Sequence, residues 1–385
     1  MIQMITAYTE EVDEVDDAIA EILKQINLDS LRKNSVGLAT CHLDFIDSGF
    51  VAELSKKLPF SIIGMSTLAS ANKYGQSIYA FSLNVLKSDD VLFETAMTSS
   101  LNADNYQNEL EAVYSAAAGK LPGQPSLILT FFPFINEVNG AILHKSLDTI
   151  CKGVPFWGSI ASNIDGRFDK CTVFHNGTVD KSGLAMILVH GQIDPEFIMV
   201  SLPSGNIGKN RGQVTKSDGC ILYEINGITA QKYLETLGLI IREDAPIITP
   251  LMVYYEGSSE PVALGMYAVN ADGSFLCGGE MPVGALIAIG EITPEGILET
   301  TRDGIDRLLK TNKRNAGLFL PCITRYLMLA PNQTDEFNLI TDKVENGKVM
   351  PFMIGYSGGE ICPIRDEAGV LRNRFHNYTF TACVL

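Results

Sequence analysis

The sequence lacks the signals of a membrane, secreted or nucleic-acid-binding protein. Its longest apolar runs, such as "LAMILV" and "ALIAIG", are far shorter than the roughly 20 residues of a membrane-spanning helix. Met1 to Glu21 contains no Lys or Arg, whereas a secretory signal begins with a basic segment. Lys and Arg number 29 against 45 Asp and Glu, and the net charge of −16 repels phosphate groups. We therefore expect a cytoplasmic protein that neither inserts into membranes nor binds nucleic acid.

Metal-binding and redox motifs are also missing. The eight cysteines include no C-x-x-C, and the nearest two are about 20 residues apart, so zinc-ribbon and thioredoxin-type sites are not indicated. None of the five histidines has another histidine four residues away, which gives no support to a metal site built from protein ligands alone. The cysteines are expected to be reduced, buried thiols that pack as small apolar residues.

The composition is that of a folded globular protein. The chain has 385 residues, 46% hydrophobic and 19% charged, which suits two or three domains with sizeable cores. Helical patterns include "TPEGILETTRDGIDRLLKTN", with Thr293 as N-cap. The strand patterns are clustered, so we predict an α+β fold of two lobes, with mixed or antiparallel sheets covered by helices. The seam is placed after Asn226-Gly227, giving domains 1–228 and 229–385, and no fixed-period repeat is visible.

One short stretch, "IGYSGGEICPI", contains the G-x-S-x-G spacing of a serine hydrolase around Ser357. That motif requires a strand before the serine and a helix directly after it. Pro363 and Gly369 lie where the helix would run. Asp366 and His376 follow in the order of a catalytic triad, but about 19 residues leave no room for the intervening strands. A nucleophilic Ser357 is therefore not expected.

The glycines of the same stretch call for a different explanation. Gly355, Gly358 and Gly359 are expected either to let the backbone approach another group closely or to adopt positive φ. Glu360 follows them directly. This places a carboxylate at a glycine-rich bend, either as a ligand contact or as a solvated acid on a tight turn.

A second candidate stretch is "PCITRYLM". Cys322 is predicted where a strand meets a helix, and a helix N-terminus lowers the pKa of a thiol and attracts anions. Arg325, one turn further along, offers a planar fork for a carboxylate. Alternatively, Arg325 pairs with a neighbouring acid such as Glu360. Both alternatives place Arg325 and Glu360 together.

The last stretch, "RFHNYTFTACVL", is predicted to be one closing strand. In it Asn377 and Thr379 face one way and His376 faces the other. These side chains offer hydrogen-bond donors and acceptors to a pocket. The alternative is that His376 is a satisfied core or surface residue, as a lone histidine on a strand commonly is.

Together, "CITR", "GYSGGEICP" and "RFHNYT" resemble, in order and spacing, the C-terminal half of FIST proteins. The stretches "FWGSIASN" and "YEINGITAQKYLETLG" are similar to the N-terminal half, so the resemblance covers about residues 30 to 385. It implies an intracellular sensory module that binds a small ligand, with amino acids the leading proposal, and passes the signal to a partner. The ligand-binding positions that it implies are Cys322, Arg325, Gly355, Ser357, Gly358, Gly359, Glu360, His376, Asn377 and Thr379.

For a zwitterionic ligand, Arg325 suits the carboxylate and Glu360 the ammonium, with Ser357 and Asn377 completing the contacts. No kinase, cyclase or methyl-accepting module flanks the region, so the expected output is a separate signalling protein such as a kinase. No enzymatic activity and no cofactor are expected. Two alternatives stay open: a haem-based nitric-oxide sensor with a histidine on the iron, although no attachment motif is present, and a protein–protein adaptor, by analogy with relatives that carry an F-box.

Overall fold

The computed structural model describes residues 1–135, 138–164, 168–241, 247–258, 260–311, 315–346 and 350–385. Helices are interleaved with runs of consecutive strands, and the sheets are mixed or antiparallel. The predicted α+β class is therefore confirmed.

The strands, in chain order, are β1 (Gln3–Thr9), β2 (Asn34–Cys41), β3 (Ile62–Ser66), β4 (Ser70–Asn72), β5 (Gly75–Ser77), β6 (Phe81–Ser88), β7 (Leu92–Met97), β8 (Leu127–Phe132), β9 (Phe156–Ile160), β10 (Val173–His175), β11 (Thr178–Asp180), β12 (Ala185–His190), β13 (Glu196–Val200), β14 (Gly212–Asp218), β15 (Ile221–Ile225), β16 (Ile228–Thr229), β17 (Ile247–Tyr254), β18 (Val262–Val269), β19 (Phe275–Cys277), β20 (Leu286–Ile289), β21 (Gly317–Pro321), β22 (Phe352–Gly355), β23 (Glu360–Arg365), β24 (Leu371–His376) and β25 (Phe380–Val384).

The α-helices are α1 (Val15–Gln25), α2 (Leu43–Asp47), α3 (Phe50–Lys57), α4 (Tyr106–Ala118), α5 (Gly140–Cys151), α6 (Ala230–Thr236), α7 (Pro294–Leu309), α8 (Ile323–Met328) and α9 (Asp335–Asn346).

Three six-stranded sheets repeat one plan. Their strand orders are β1-β6-β2-β3-β10-β11, β7-β12-β8-β9-β23-β24 and β13-β25-β21-β22-β4-β5. In each sheet the two central strands, β2 and β3, β8 and β9, or β21 and β22, are parallel. All other neighbours are antiparallel. We call the strands β1, β2, β3 and β6 the first module, β7, β8, β9 and β12 the second, and β13, β21, β22 and β25 the third.

The modules exchange hairpins in a cycle. Between its second parallel strand and its antiparallel strand, each module makes a two-stranded hairpin that joins the sheet of another module. The hairpin β4–β5 of the first module joins the third sheet, β10–β11 of the second joins the first, and β23–β24 of the third joins the second. Each sheet is therefore complete only when two separate parts of the chain meet.

Each sheet buries both faces. The inner faces share one core, to which the three modules contribute Leu38, Leu129 and Leu318. The outer faces are covered by helices: α1 to α3 on the first sheet, α4 and α5 on the second, and α7 to α9 on the third. The central strands are accordingly apolar on both faces, as is usual for parallel strands buried on two sides. Helix α7 begins as predicted, with the Thr293 hydroxyl accepting the N–H of Gly296 at 3.1 Å.

A fourth sheet, β14 to β20, is inserted into the third module between β13 and α7. Its order is β14-β20-β17-β18-β19-β15-β16, and β14 also pairs with β15, which closes the sheet on itself. The predicted hairpin across Ala271-Asp272-Gly273 joins β18 and β19 here. The predicted seam at 228/229 falls inside this sheet, and strands from both sides of it also share the other sheets. The seam itself stays a prediction.

The closing segment is not the single strand that we predicted. It forms β24 in the second sheet and β25 in the third. Between them Tyr378 adopts φ of +61°, a left-handed conformation that a bulky residue rarely takes. The simple alternation predicted for His376, Asn377 and Thr379 is therefore wrong, because the chain turns from one sheet to another at these residues.

A buried carboxyl group beside an apolar cavity

The Glu360 carboxyl group lies in the interior, at the start of β23, and is fully buried. The Ser357 hydroxyl donates to Oε1 at 3.0 Å, and the Thr379 hydroxyl donates to Oε2 at 2.7 Å. Burial raises the pKa of Glu360 to about 8, although these hydrogen bonds act in the opposite direction. Desolvation of the charged form therefore outweighs the stabilisation that the two hydroxyl groups provide.

Cys322 lies next to this carboxyl group, at the N-cap of α8. Its N–H donates to the Thr379 carbonyl at 2.8 Å, and its backbone bridges to Ser357. Burial, followed by the charge of Glu360, raises the pKa of the Cys322 thiol. The expected lowering of this pKa is wrong, because a six-residue helix offsets little of the desolvation of a buried thiolate.

An apolar cavity of about 490 Å³ opens beside Cys322. It lies where the fourth sheet meets the second and third modules. Ile248, Tyr267 and Leu327 are 49%, 42% and 50% exposed, so they mark the entrance. The lining residues are Phe134, Phe168, Ile247, Ile248, Gly265, Met266, Tyr267, Cys322, Ile323, Thr324, Leu327, Met328, Gly358, Asn377 and Tyr378. Among these described residues none carries a charged side chain.

Asn377 connects the fourth sheet to the wall of the cavity. Its N–H donates to the Ala263 carbonyl, and its Oδ1 accepts the N–H of Gly265, both at 2.9 Å. Its Nδ2 donates to the Tyr267 hydroxyl at 3.1 Å. The amide is thus satisfied by the fourth sheet, and the left-handed Tyr378 follows it on the cavity wall. Such backbone strain commonly persists at binding sites.

The three glycines of "GYSGGE" allow close approach and do not adopt positive φ. A Cβ atom on Gly355 would lie 2.9 Å from Thr40, one on Gly358 would lie 2.4 Å from the Phe168 ring, and one on Gly359 would lie 2.7 Å from the Phe375 ring. Gly355 therefore serves the contact between modules, whereas Gly358 gives space to an aromatic ring of the cavity.

The predicted proximity of Arg325 and Glu360 is wrong. Arg325 is 1% exposed and forms an ion pair with Glu336 of α9, with Nε and Nη2 at 2.9 and 2.8 Å from Oε1. Its Nη2 also donates to the Ile297 carbonyl and to the Thr301 hydroxyl of α7. The guanidinium group therefore ties α8 to α7 and α9, and it is not a free fork for a ligand carboxylate.

His376 is also buried, and its Nε2 lies 3.0 Å from the Cys362 carbonyl. Burial lowers the pKa of His376 to about 4, so the ring is neutral at pH 7. Of the ten predicted positions, Cys322, Gly358 and Asn377 line the cavity. Ser357, Glu360 and Thr379 form the hydrogen-bonded group beside it, and Gly359 lies between Gly358 and Glu360. Arg325, Gly355 and His376 lie elsewhere.

A catalytic triad is not assembled around Ser357. Strand β23 follows this serine, where a hydrolase has a helix. Asp366 accepts a hydrogen bond from Arg372 at 3.0 Å in a surface turn, while His376 contacts the Cys362 carbonyl. In the described part of the chain no group of three or more His, Cys, Asp or Glu side chains is placed to hold a metal ion. No helix among the described residues is long and apolar enough to cross a membrane.

The sequence analysis missed the aromatic and aliphatic residues that enclose the cavity. Phe134 and Phe168 come from the second module, and Met266 and Tyr267 from β18. One signal was present in the sequence. The strand that ends before Pro133 reads "LTFF", and the strand that ends before Cys322 reads "LFLP". These strands end at equivalent places in two modules, so Phe134 corresponds in position to Ile323, the residue after Cys322.

Comparison with known proteins gives two family matches. The profile of the FIST N domain matches residues 35–228, and that of the FIST C domain matches residues 229–363. No curated protein sequence matches. Among solved structures, a cyanuric acid hydrolase described as an innovation by structural concatenation is 8% identical, with a TM-score of 0.37, over 100% of this chain and 98% of its own. A cyanuric acid hydrolase from A. caulinodans is also 8% identical, with a TM-score of 0.34, over 100% and 99%. At these values the likeness carries no argument about this chain.

Proposed function

This chain belongs to the FIST family, and from that premise we propose that it is a sensor whose small ligand binds in the cavity between the fourth sheet and Cys322. FIST domains are associated with the sensing of small ligands in signal transduction. One observation supports the location: the cavity of about 490 Å³ has the size and apolar lining of a small-molecule site.

The ligand would act by shifting a population of conformations. The cavity is formed by the fourth sheet on one side and by the second and third modules on the other, so its occupant contacts both. A ligand that binds one arrangement of these parts more tightly stabilises that arrangement. We propose no catalytic role for the chain, and we retain the cytoplasmic location and a separate signalling partner, such as a kinase, as predictions.

The ligand chemistry differs from our first expectation, which was an amino acid or another small carboxylate. Arg325 is occupied by Glu336, and the described lining of the cavity offers no cationic side chain. A carboxylate would therefore lose its hydration there without gaining a charged partner. These contacts favour a largely apolar ligand. The fit of a haem with a histidine on its iron is also poor, because no histidine is among the described lining residues.

A second surface favours the amino-acid prediction. A cleft of about 320 Å³ is lined by Arg372 and Arg374 together with three acidic residues, Asp148, Glu256 and Asp366, and Arg372 already pairs with Asp366 at 3.0 Å. The Arg374 guanidinium lies 5.1 Å from the centre of the Tyr255 ring. Guanidinium groups bind carboxylates in a planar, bidentate manner, and carboxylates bind ammonium groups. If this chain binds a free amino acid, we propose that it does so in this cleft.

Thermal shift tests both sites. Purified protein is screened against apolar small molecules, amino acids, small carboxylates and haem, beside Leu327→Trp and Arg374→Gln. A ligand at 100 times its dissociation constant stabilises the native state by about 2.7 kcal/mol, and we expect this effect from an apolar compound. It should be lost in Leu327→Trp, which narrows the entrance of the cavity.

The control for the added bulk is Val283→Trp, because Val283 is 64% exposed and does not line the cavity. An amino-acid effect that is lost in Arg374→Gln and kept in Leu327→Trp would assign the ligand to the cleft. A haem response with a Soret band would favour the gas-sensor alternative. No effect from any compound would contradict the proposal of a small-molecule sensor. The protein–protein adaptor would then be the remaining alternative.

A further inference from the structure

We infer that the ligand of the cavity carries an alkylated ammonium group, such as a quaternary ammonium, on an otherwise apolar body. This inference rests on the proposed function, because it names the chemistry of the molecule that the same cavity takes. Four aromatic rings supply the argument. Phe134, Phe168, Tyr267 and Tyr378 all line the cavity.

Three of the rings form one contiguous cluster on the cavity wall. The Phe134 and Phe168 rings have centres 5.7 Å apart and planes inclined at 38°. The Phe134 and Tyr267 rings have centres 6.3 Å apart and are nearly perpendicular, at 81°. In an edge-to-face pair one ring covers a face of the other, so the opposite face of that ring is the one left for a guest. Aromatic faces carry negative partial charge and attract cations, and several such faces around one site recognise alkylated ammonium groups.

The surrounding charges do not oppose a cation. No cationic side chain is among the described lining residues. The carboxyl group next to Cys322, that of Glu360, has a pKa of about 8, so it is mostly neutral at pH 7 and does not set the charge of this part of the wall. An alkylated ammonium also loses less hydration than a primary ammonium on entering an apolar cavity, because its methyl groups already shield the charge.

Three of the four rings are partly open to solvent, although Phe134 and Phe168 also pack against the core. Tyr267 is 42% exposed at the entrance, and Phe134 and Phe168 are only partly buried. Phe131 and Phe132, just before Phe134, are completely buried by contrast. Phe134, Phe168 and Tyr267 therefore present part of their surface to the cavity that they line.

Isothermal titration calorimetry with a matched pair of probes tests the charge. Choline is compared with 3,3-dimethylbutan-1-ol, its neutral isostere, on the full chain at one pH and ionic strength. We expect choline to bind about tenfold more tightly than the isostere, because the shapes match and only choline gains cation–π attraction. Phe134→Leu and Phe168→Leu should each weaken choline severalfold and leave the isostere nearly unchanged.

Phe60→Leu is the control, because Phe60 is partly buried and packs against the outer core of the first sheet. Equal affinity for the two probes, or choline binding that survives both Phe134→Leu and Phe168→Leu, would overturn the cationic ligand. If neither probe binds while an apolar compound of the thermal-shift panel does, the inference of a cationic ligand is wrong and the proposed function stands. If no compound of either set binds, both fall.

Discussion

The strand ends of the first and third modules share one backbone plan and carry different chemistry. The N–H of Thr67 donates to the Cys41 carbonyl, and the N–H of Ser357 donates to the Pro321 carbonyl, both at 2.9 Å. In the first module the Thr67 hydroxyl lies 2.8 Å from the Ser70 hydroxyl. In the third, the Ser357 hydroxyl donates to Glu360. The same position therefore holds a neutral hydroxyl pair in one module and an ionisable group in the other.

A second pair of equivalent positions differs in the same way. Phe45 and Arg325 each lie three residues after the N-cap of the helix that follows the first parallel strand, and each is 1% exposed. Phe45 packs against the rings of Phe50 and Phe81, whereas Arg325 pairs with Glu336. At this position the fold requires a buried side chain of sufficient volume, and it does not require a charged one. At both of these paired positions the ionisable side chain belongs to the third module, which carries the inserted fourth sheet and borders the cavity.

The largest effect expected from this comparison is that of Arg325→Ala. The change leaves Glu336 buried and unpaired, so we expect the free energy of unfolding to fall by about 3–5 kcal/mol. Phe45→Ala should cost a similar amount, about 3–5 kcal/mol, through the cavity that it leaves. Urea unfolding measures both values.

The double variant Arg325→Met/Glu336→Leu tests whether the Arg325 position needs a charge or, like the Phe45 position, only a side chain that fills the space. It removes both charges and keeps the volume, so its stability should be close to wild type or higher. Exposed Arg307, which pairs with Asp303 on α7, is the control, and Arg307→Ala should cost less than about 1 kcal/mol. A double variant as unstable as Arg325→Ala would show that the third module requires the charges.

The next effect is the pH dependence that Glu360 gives to the third module and that the equivalent Ser70 cannot give to the first. The folded pKa of Glu360 is about 8, above the roughly 4.3 of an unfolded glutamate, so the neutral form favours folding. Its contribution is complete below about pH 4.3 and is lost as the pH rises towards 8. We therefore expect Glu360→Gln to gain stability relative to wild type between pH 5 and pH 9.

Urea unfolding at pH 5, 7 and 9 checks this pH dependence. Glu367→Gln is the matched control, because Glu367 is exposed in the turn after β23. Parallel stability profiles for wild type and Glu360→Gln would mean that the carboxyl group does not change its pKa on folding. The interpretation of the third module as the ionisable one would then be wrong.

The smallest effect concerns the equivalent hydroxyl groups. Ser357→Ala leaves Oε1 of the buried Glu360 carboxyl group without the serine hydroxyl that donates to it, and should cost about 1–3 kcal/mol. Ser70→Ala removes one member of a neutral pair and should cost about 1 kcal/mol. The comparison is made by urea unfolding at pH 9, where Glu360 is ionised. Equal costs would contradict the assigned difference between the two strand ends.

The local features of the fold could be predicted from the sequence. The cap of α7 at Thr293 and the hairpin across Asp272 depend on neighbouring residues, and both are confirmed. The repeated module plan could not be predicted, because equivalent positions share strand order and not residue type. The closing strand was predicted wrongly because Tyr378 adopts a left-handed conformation that an alternating pattern does not reveal.

The candidate site could be predicted only in part. Ser357, Glu360 and Thr379 meet because β23 and the start of β25 bring their short motifs together. The cavity joins Phe134 to Tyr267, which are far apart in the sequence and meet only through the packing of two sheets. The partner of Arg325 was missed because Glu336 lies in the first turn of α9, where an acid is usually a solvated residue at the helix N-terminus.

The cyclic exchange of hairpins also determines the order in which the sheets can be completed during translation. Asn72 on β4 pairs with Met353 on β22, so its partner is made about 280 residues later. At about 5–20 residues per second this is a delay of roughly 15–60 s. During that time the β4–β5 hairpin cannot complete its sheet, and its polar edge must be protected by solvent, by the chain or by a chaperone. The third sheet, which needs β25, is therefore the last of the three six-stranded sheets to be completed, and the site beside Glu360 forms only after Thr379 has been translated.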